Sequence, residues 1–353
     1  MSNMSALLFF SIALLLLLTL ILLTYVLVLR WQTEYRNAVI SSKTVEWNNI
    51  VSTWLETGKA EAIQAQYAPQ FLEFLAERCD FEVGASSIDL GNLLEHLGLD
   101  KIIRQNLKKR NIYDKAWAIH LAGLFNLTGF KNEIIPYVDH GHDLVSFVAC
   151  QSLAKLLKPT DEFFFQLLFR LIGRHSLWTT EKLAEIIIQM GSPAGKKLLD
   201  FLSFSEVKGK LLLFIIDLLG EMKLTEAGPE LHRRLRAQLA GDSNNETMVR
   251  LIRNLGLLGY APAITDITGL LHHDAWFIRS QVSRTLGDLK TENMLAPLSE
   301  AMSDSNWWVR HNAGNALSNF GPAGIRRLQE IAGSEGDRFA REMASLILEK
   351  RGV

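Results

Sequence analysis

The sequence predicts an all-α protein, a solenoid of stacked helix pairs preceded by one transmembrane helix. Three observations predict it. Arg279, Arg310 and Arg341 recur at equal steps in similar surroundings, and self-similarity at a period of roughly 20–50 residues is the mark of a repeat architecture. Residues 6–29, ALLFFSIALLLLLTLILLTYVLVL, contain no charge. Strand-like alternation is sustained nowhere, whereas apolar residues recur at helical spacing throughout.

The apolar run comes first. At about 1.5 Å per residue it exceeds the roughly 30 Å hydrocarbon core of a bilayer. A cleaved signal peptide wants a basic start, a shorter apolar core and a small-x-small cleavage site. Here MSNMS carries no Lys or Arg, and the run ends on Leu27-Val28-Leu29, so an uncleaved anchor is expected. Arg30 and Arg36 follow the run and no basic side chain precedes it. The positive-inside rule then places the N-terminus outside and the remaining chain in the cytoplasm, single-pass in the cell (inner) membrane. Trp31 and Tyr35 suit the interfacial aromatic belt.

Residues 31–110 read as an amphipathic connector and a helical cap. Trp47, Ile50, Val51, Trp54 and Leu55 recur at i, i+3, i+4, i+7 and i+8, an apolar stripe expected to pack on the first solenoid helices rather than on lipid, because its polar face is poor in Lys and Arg. Gly58 ends that helix. One or two helices follow over 59–79 with a break at Pro69, and another over 86–97.

From 111 to 353 the chain divides into about eight units. Aligned on the arginine, they include Arg341, Arg310, Arg279 and Arg250, the last at a slightly shorter step from Arg279 than the others keep. Ala149 and Trp117 hold the same place in poorer copies, and units near Leu183 and Leu212 follow from spacing. Asp304-Ser-Asn-Trp-Trp-Val-Arg310 carries an acidic turn and then Val-Arg opening a helix of small and aliphatic residues. This pattern resembles the HEAT-repeat family, clearest in 241–353. The resemblance implies a right-handed α-solenoid of HEAT-like helix pairs. Asp143, Asp274, Asp304 and Asp337 are then turn acids, expected to pair with Arg250, Arg279, Arg310 and Arg341 as a ladder between repeats.

Some residues exceed what the repeat needs. Trp276 and Trp307 share a register, with Trp308 beside the second. They either form an aromatic strip for a partner or plug the seam between repeats, and the usual burial of Trp favours the plug. Arg284, Asn312, Asn315 and Asn319 lie off the apolar stripes, where a concave wall for a protein partner, or a solvated groove, is expected. Asp139-His140-Gly141-His142-Asp143 is the one metal-like cluster. Four ligands packed so closely in sequence poorly surround an ion, so no metal is expected, and His272-His273 is discounted likewise. Lys101, Arg104, Lys108, Lys109, Arg110, and then Arg233, Arg234 and Arg236, are basic clusters that either face anionic lipid or are solvated helix ends.

Charge is balanced at 37 basic against 38 acidic residues, which disfavours nucleic acid as a partner. Cys79 and Cys150 lie far apart without partner spacing and read as small core residues of a reducing compartment. No G-x-S-x-G, P-loop, H-E-x-x-H or C-x-x-C occurs. The His-Glu iron ligands of HEAT-like hydroxylases are absent, and the basic groove of HEAT-like DNA glycosylases does not suit the charge balance. The expectation is a non-catalytic scaffold without cofactor or small-molecule substrate. It would bind a membrane or membrane-associated protein, for instance in a cell-envelope or polysaccharide-synthesising glycosyltransferase complex. The alternative is a HEAT-like lyase acting on a tetrapyrrole-type ligand.

Overall fold

A computed structural model describes residues 2–81, 87–174, 178–204, 206–241, 244–334 and 336–352. Among the described residues the chain is all-α, without a strand. It divides into two compact units, Met1–Leu157 and Lys158–Val353.

The first unit is organised by α1 (Ser2–Thr57), one helix of 56 residues. The apolar run and the connector are therefore continuous, with no break at Arg30. From Ala13 the helix is long and apolar enough to cross a membrane, with a mean hydropathy of 2.5 over its most apolar window and none of that window buried. Its far end is different. Trp47 is 1% exposed, and Ile50 and Val51 are buried with it. Trp47 meets Phe71 edge-on and tilts over Phe74, both at 5.4 Å, in α2 (Ala68–Phe81). Trp54 stands over His96, 5.0 Å away, at the end of α3 (Ser87–His96). The predicted stripe thus packs on protein rather than lipid, but on α2 and α3 of the cap instead of the first solenoid helices, and Leu55 faces solvent.

Gly58 stops α1 at φ +68, a backbone state that glycine adopts without steric cost. Pro69 differs from expectation. It is the second residue of α2, where its missing N–H is one the helix leaves unpaired anyway, so it starts a helix rather than breaking one.

Helix pairs follow. In the first unit they are α4 (Asp100–Leu107) with α5 (Ile112–Leu124), and α6 (Lys131–Ile134) with α7 (Asp143–Leu156). α5 and α7 lie side by side. At their crossing Gly123 leaves no room for a side chain, since a Cβ there would stand 2.7 Å from Ser152 Cα, and Ser152 Oγ donates to the Ile119 carbonyl at 2.8 Å.

The second unit contains α8 (Glu162–Gly173) with α9 (Thr180–Gln189), α10 (Ser192–Phe204) with α11 (Gly209–Glu221), and α12 (Gly228–Ala240) with α13 (Asn245–Leu257). Then come α14 (Ile264–Gly269) with α15 (Trp276–Leu289), α16 (Leu295–Ala301) with α17 (Trp307–Ser318), and α18 (Pro322–Ala332) with α19 (Arg338–Arg351). The second helices α9, α11, α13, α15, α17 and α19 each pack on the next, the stacking that lets a repeat bury an apolar face it cannot bury alone.

Small residues again set the spacing. A Cβ on Gly287 of α15 would stand 2.6 Å from Ala316 Cβ of α17, a contact real side chains do not make. Gly287→Val is therefore expected to destabilise this unit by about 2–3 kcal/mol through overpacking. A urea midpoint unchanged from the parent would show that the α15–α17 crossing yields freely.

Candidate partner-binding surface

The turns between α14 and α15, α16 and α17, and α18 and α19 present one edge of the second unit. Arg279 is fastened there on both sides. Its Nε and Nη2 donate to the two oxygens of Asp304 at 2.7 and 2.8 Å, and its Nη1 donates to the His273 and Asp274 carbonyls. Both members of this pair are mostly buried, with side chains 14% and 12% exposed. Asp304 Oδ1 also accepts the Asn306 N–H at 2.8 Å. Burial pushes the Asp304 carboxyl up, but the hydrogen bonds from Arg279 and the Asn306 amide outweigh it and hold its pKa below the ordinary value. The bond from Asp304 raises that of Arg279.

Among the described residues the expected ladder of such pairs shows no second rung. Arg310 is buried and donates to the Asp304 and Ser305 carbonyls of its own turn. Its guanidinium lies 5.0 Å from the Phe339 ring centre, and its Nε meets no acceptor among the described residues. The step from Arg279 to Asp304, repeated from Arg310, leads to Glu335, outside the described residues. Arg341 donates to the Ser334 carbonyl. Asp337 caps α19, accepting the Phe339 N–H at 2.9 Å, and the part of Asp274 in the Arg279 network is its carbonyl and the field of its carboxylate.

Arg250 belongs to a different register. It is the sixth residue after the cap of its helix, Asn244, whereas Arg279, Arg310 and Arg341 are the fourth after Ala275, Asn306 and Asp337. Arg250 reaches back to Asp217 on α11 at 2.6 Å, and Asn254 donates to the other oxygen of that carboxylate at 2.8 Å. The shorter step to Arg279 already carried this shift. Asp143 is corrected as well. It opens α7 as its first residue, and the cap is His142, whose Nδ1 accepts the Leu144 N–H.

The tryptophans do not plug the seam. Trp276, Trp307 and Trp308 are 44%, 43% and 53% exposed. Trp307 stacks on His311 at 4.7 Å and meets Trp308 edge-on at 4.8 Å, while Trp276 meets Phe277 at 5.9 Å. They open α15 and α17 at the first turn. Phe277 and Phe339 join them, 40% and 57% exposed. Sequence reasoning overlooked these two although Phe277, Trp308 and Phe339 keep the same step as the arginines. A step counted on arginines alone concealed it.

The asparagine wall is largely used internally. Asn312 donates to the hydroxyl and carbonyl of Ser280 on α15 at 2.8 and 3.3 Å, joining two repeats. Asn315 donates to the His311 carbonyl of its own helix, and Asn319 accepts from Arg351 at 3.0 Å. Arg284 is exposed on α15, one turn from Asp288. Asn319 is exposed as well, but it is bonded to Arg351, which leaves Arg284 as the exposed cation of this set.

The histidine turns act as caps. His140 Nδ1 accepts the His142 N–H at 3.1 Å, and His273 Nδ1 accepts the Ala275 N–H at 3.0 Å. Among the described residues no group of three or more His, Cys, Asp or Glu is placed to hold a metal. The second basic cluster is pinned: Arg233 and Arg234 pair with Glu230, and Arg236 with Asp266, which also meets His232 at 2.7 Å.

Residues 232–318 match the family of HEAT repeats. No curated protein matches the chain. Among solved structures, the karyopherin Kap121p bound to the extreme C-terminus of the protein phosphatase Cdc14p is 12% identical, at a TM-score of 0.48 over 81% of this chain and 38% of that one. A Kap121p mutant is 12% identical at 0.49, over 87% and 39%. Human deoxyhypusine hydroxylase in complex with glycerol is 17% identical at 0.29, over 81% and 97%. The chain spans about two-fifths of the Kap121p length. It is an all-α protein of HEAT-like helix pairs behind one long apolar helix, with the HEAT match itself lying in residues 232–318.

Proposed function

We propose that the protein is a non-catalytic scaffold, tethered to a membrane by α1 with its helix pairs in the cytoplasm, which binds a protein partner through the edge of Trp276, Phe277, Trp307, Trp308 and Phe339. The observation that carries this reading is that edge. Five aromatic side chains on three successive second helices are two-fifths or more exposed while the backbone beneath them is fastened by the Arg279–Asp304 pair. Rigid, half-exposed aromatics are what binding hot spots are made of, because they bury large area at little entropic cost. The exposed apolar side of α1 supports the tether, and Arg30 and Arg36 beyond it support the orientation.

Trp307→Ala combined with Arg284→Glu is expected to abolish partner recovery by crosslinking from membranes. Stability should change by less than about 1 kcal/mol, as for surface sites away from packed contacts. Full recovery of the same partner with that variant would remove this edge from the interface.

A further inference from the structure

The basic run Lys108-Lys109-Arg110 is remote from Leu29 in sequence, yet the first unit brings it to the foot of α1. Two contacts orient α5 along α1. Its early residues Tyr113, Asp114 and Trp117 line a groove with Arg36, Asn37 and Ile40 of α1. Those α1 residues lie about 10–16 Å past the end of the apolar run at 1.5 Å per residue. At its other end, α5 runs into Phe125, whose carbonyl sits against Gly91 of α3. α3 in turn reaches α1 at Trp54, about 37 Å past the run on the same count. α5 therefore points away from the apolar run, and residues 108–110, which precede it, lie on the side of that run.

All three basic side chains are exposed. The counter-charge is slight: Lys109 meets Asp114 at 3.2 Å, but both are about half exposed, where such a pair is worth little. Arg104, by contrast, is held inward by Glu133 and the Phe130 ring. Arg30 and Arg36 on α1 are each paired, with Glu34 at 2.8 Å and Glu73 at 3.1 Å, so the unspent positive charge at this level is that of residues 108–110, while Trp31, Tyr35, Tyr113 and Trp117 add exposed rings of the kind that settle at a membrane interface. The headgroup layer extends roughly 5–8 Å beyond the hydrocarbon core, and screening in physiological salt reaches about 8 Å further.

We propose that Lys108, Lys109 and Arg110 form a second membrane contact, docking the first unit on anionic phospholipid headgroups of the leaflet that α1 enters. This rests on the reading of α1 as a membrane anchor. Charge complementarity selects the occupant: a cluster of cations held at headgroup level recognises anionic lipid. Two points of attachment would fix the orientation of the first unit, where a single helix leaves it free to rotate.

The test uses the full chain reconstituted in vesicles of phosphatidylcholine alone, or of phosphatidylcholine with about a third phosphatidylglycerol. Flotation after an alkaline wash reports the anchor separately. Trypsin cleaves after exposed Lys and Arg, so cutting at 108–110 is followed relative to Lys208, whose side chain is 81% exposed. The expected result is cutting about tenfold slower with phosphatidylglycerol, restored by high salt. In Lys108→Gln with Lys109→Gln, the protection of the remaining Arg110 should be lost. Equal cutting in both vesicles with intact flotation overturns the lipid contact and leaves the anchor standing. Failure to float with either vesicle overturns the anchor and the contact together.

Discussion

Replacing Trp47 by alanine is expected to destabilise the first unit by about 4 kcal/mol, the range for emptying a fully buried aromatic site. Trp47 is 1% exposed and is wedged between Phe71 and Phe74. The cavity would be lined by two rings on a single helix, with little freedom to collapse. Loss of this wedge would also let α1 move independently of the helix pairs, so that proteolysis between α1 and α2, over residues 58–67, accelerates before global unfolding. Trp47→Phe keeps part of the volume and should recover more than half of the loss. Chemical denaturation of the detergent-solubilised chain measures the difference, and a cost below about 1 kcal/mol, the level of an ordinary surface change, would mean that α1 is merely laid against the unit.

Asp304→Ala is expected to destabilise the second unit by about 3 kcal/mol, because removing one partner of a largely buried pair leaves an uncompensated charge, which costs more than the pair contributes. Here the orphan would be Arg279, whose side chain is 14% exposed, and the Asn306 N–H at the head of α17 would lose its acceptor as well. Asp304→Asn retains that acceptor but not the charge and should cost roughly half as much. The same carboxylate gives a pH dependence. Its folded pKa is depressed, so its contribution is complete above the unfolded value of about 3.9 and is lost as pH falls through the folded value. Melting of the parent and of Asp304→Asn, compared at neutral pH and near pH 3, should show the two converging in acid. A gap that persists in acid would place the loss elsewhere than in this ionised pair.

The repeat was legible because its signals are local. Val309, Ala313, Ala316 and Leu317 lie on one helical face whatever surrounds them, and all are buried. The connector was legible for the same reason in Trp47, Ile50 and Val51. Pro69 was misjudged because a proline between two apolar stretches reads alike as a break and as a first turn. Only the preceding chain decides between them. Arg250 shared a residue type and a near period with Arg279 while occupying another helical position, and periodicity by itself cannot tell a fastener pointing forward from one pointing back.

What the sequence determined by itself is the helical class, the constant step of the last repeats and the uncharged run 6–29, because each depends on side-chain character counted along the chain. What only the tertiary structure decided is which polar groups are spent and which remain. Asn312 and Asn319 are consumed in bonds to Ser280 and Arg351, each 32 residues away in sequence, while Trp276, Trp307 and Trp308 stay open to solvent. Lys108, Lys109 and Arg110 reach the foot of α1 through contacts of α5 with α1 and α3. The physical reason is common to these cases. Hydrogen bonds and burial are settled between residues distant in the chain, and a one-dimensional pattern holds no record of which of them meet.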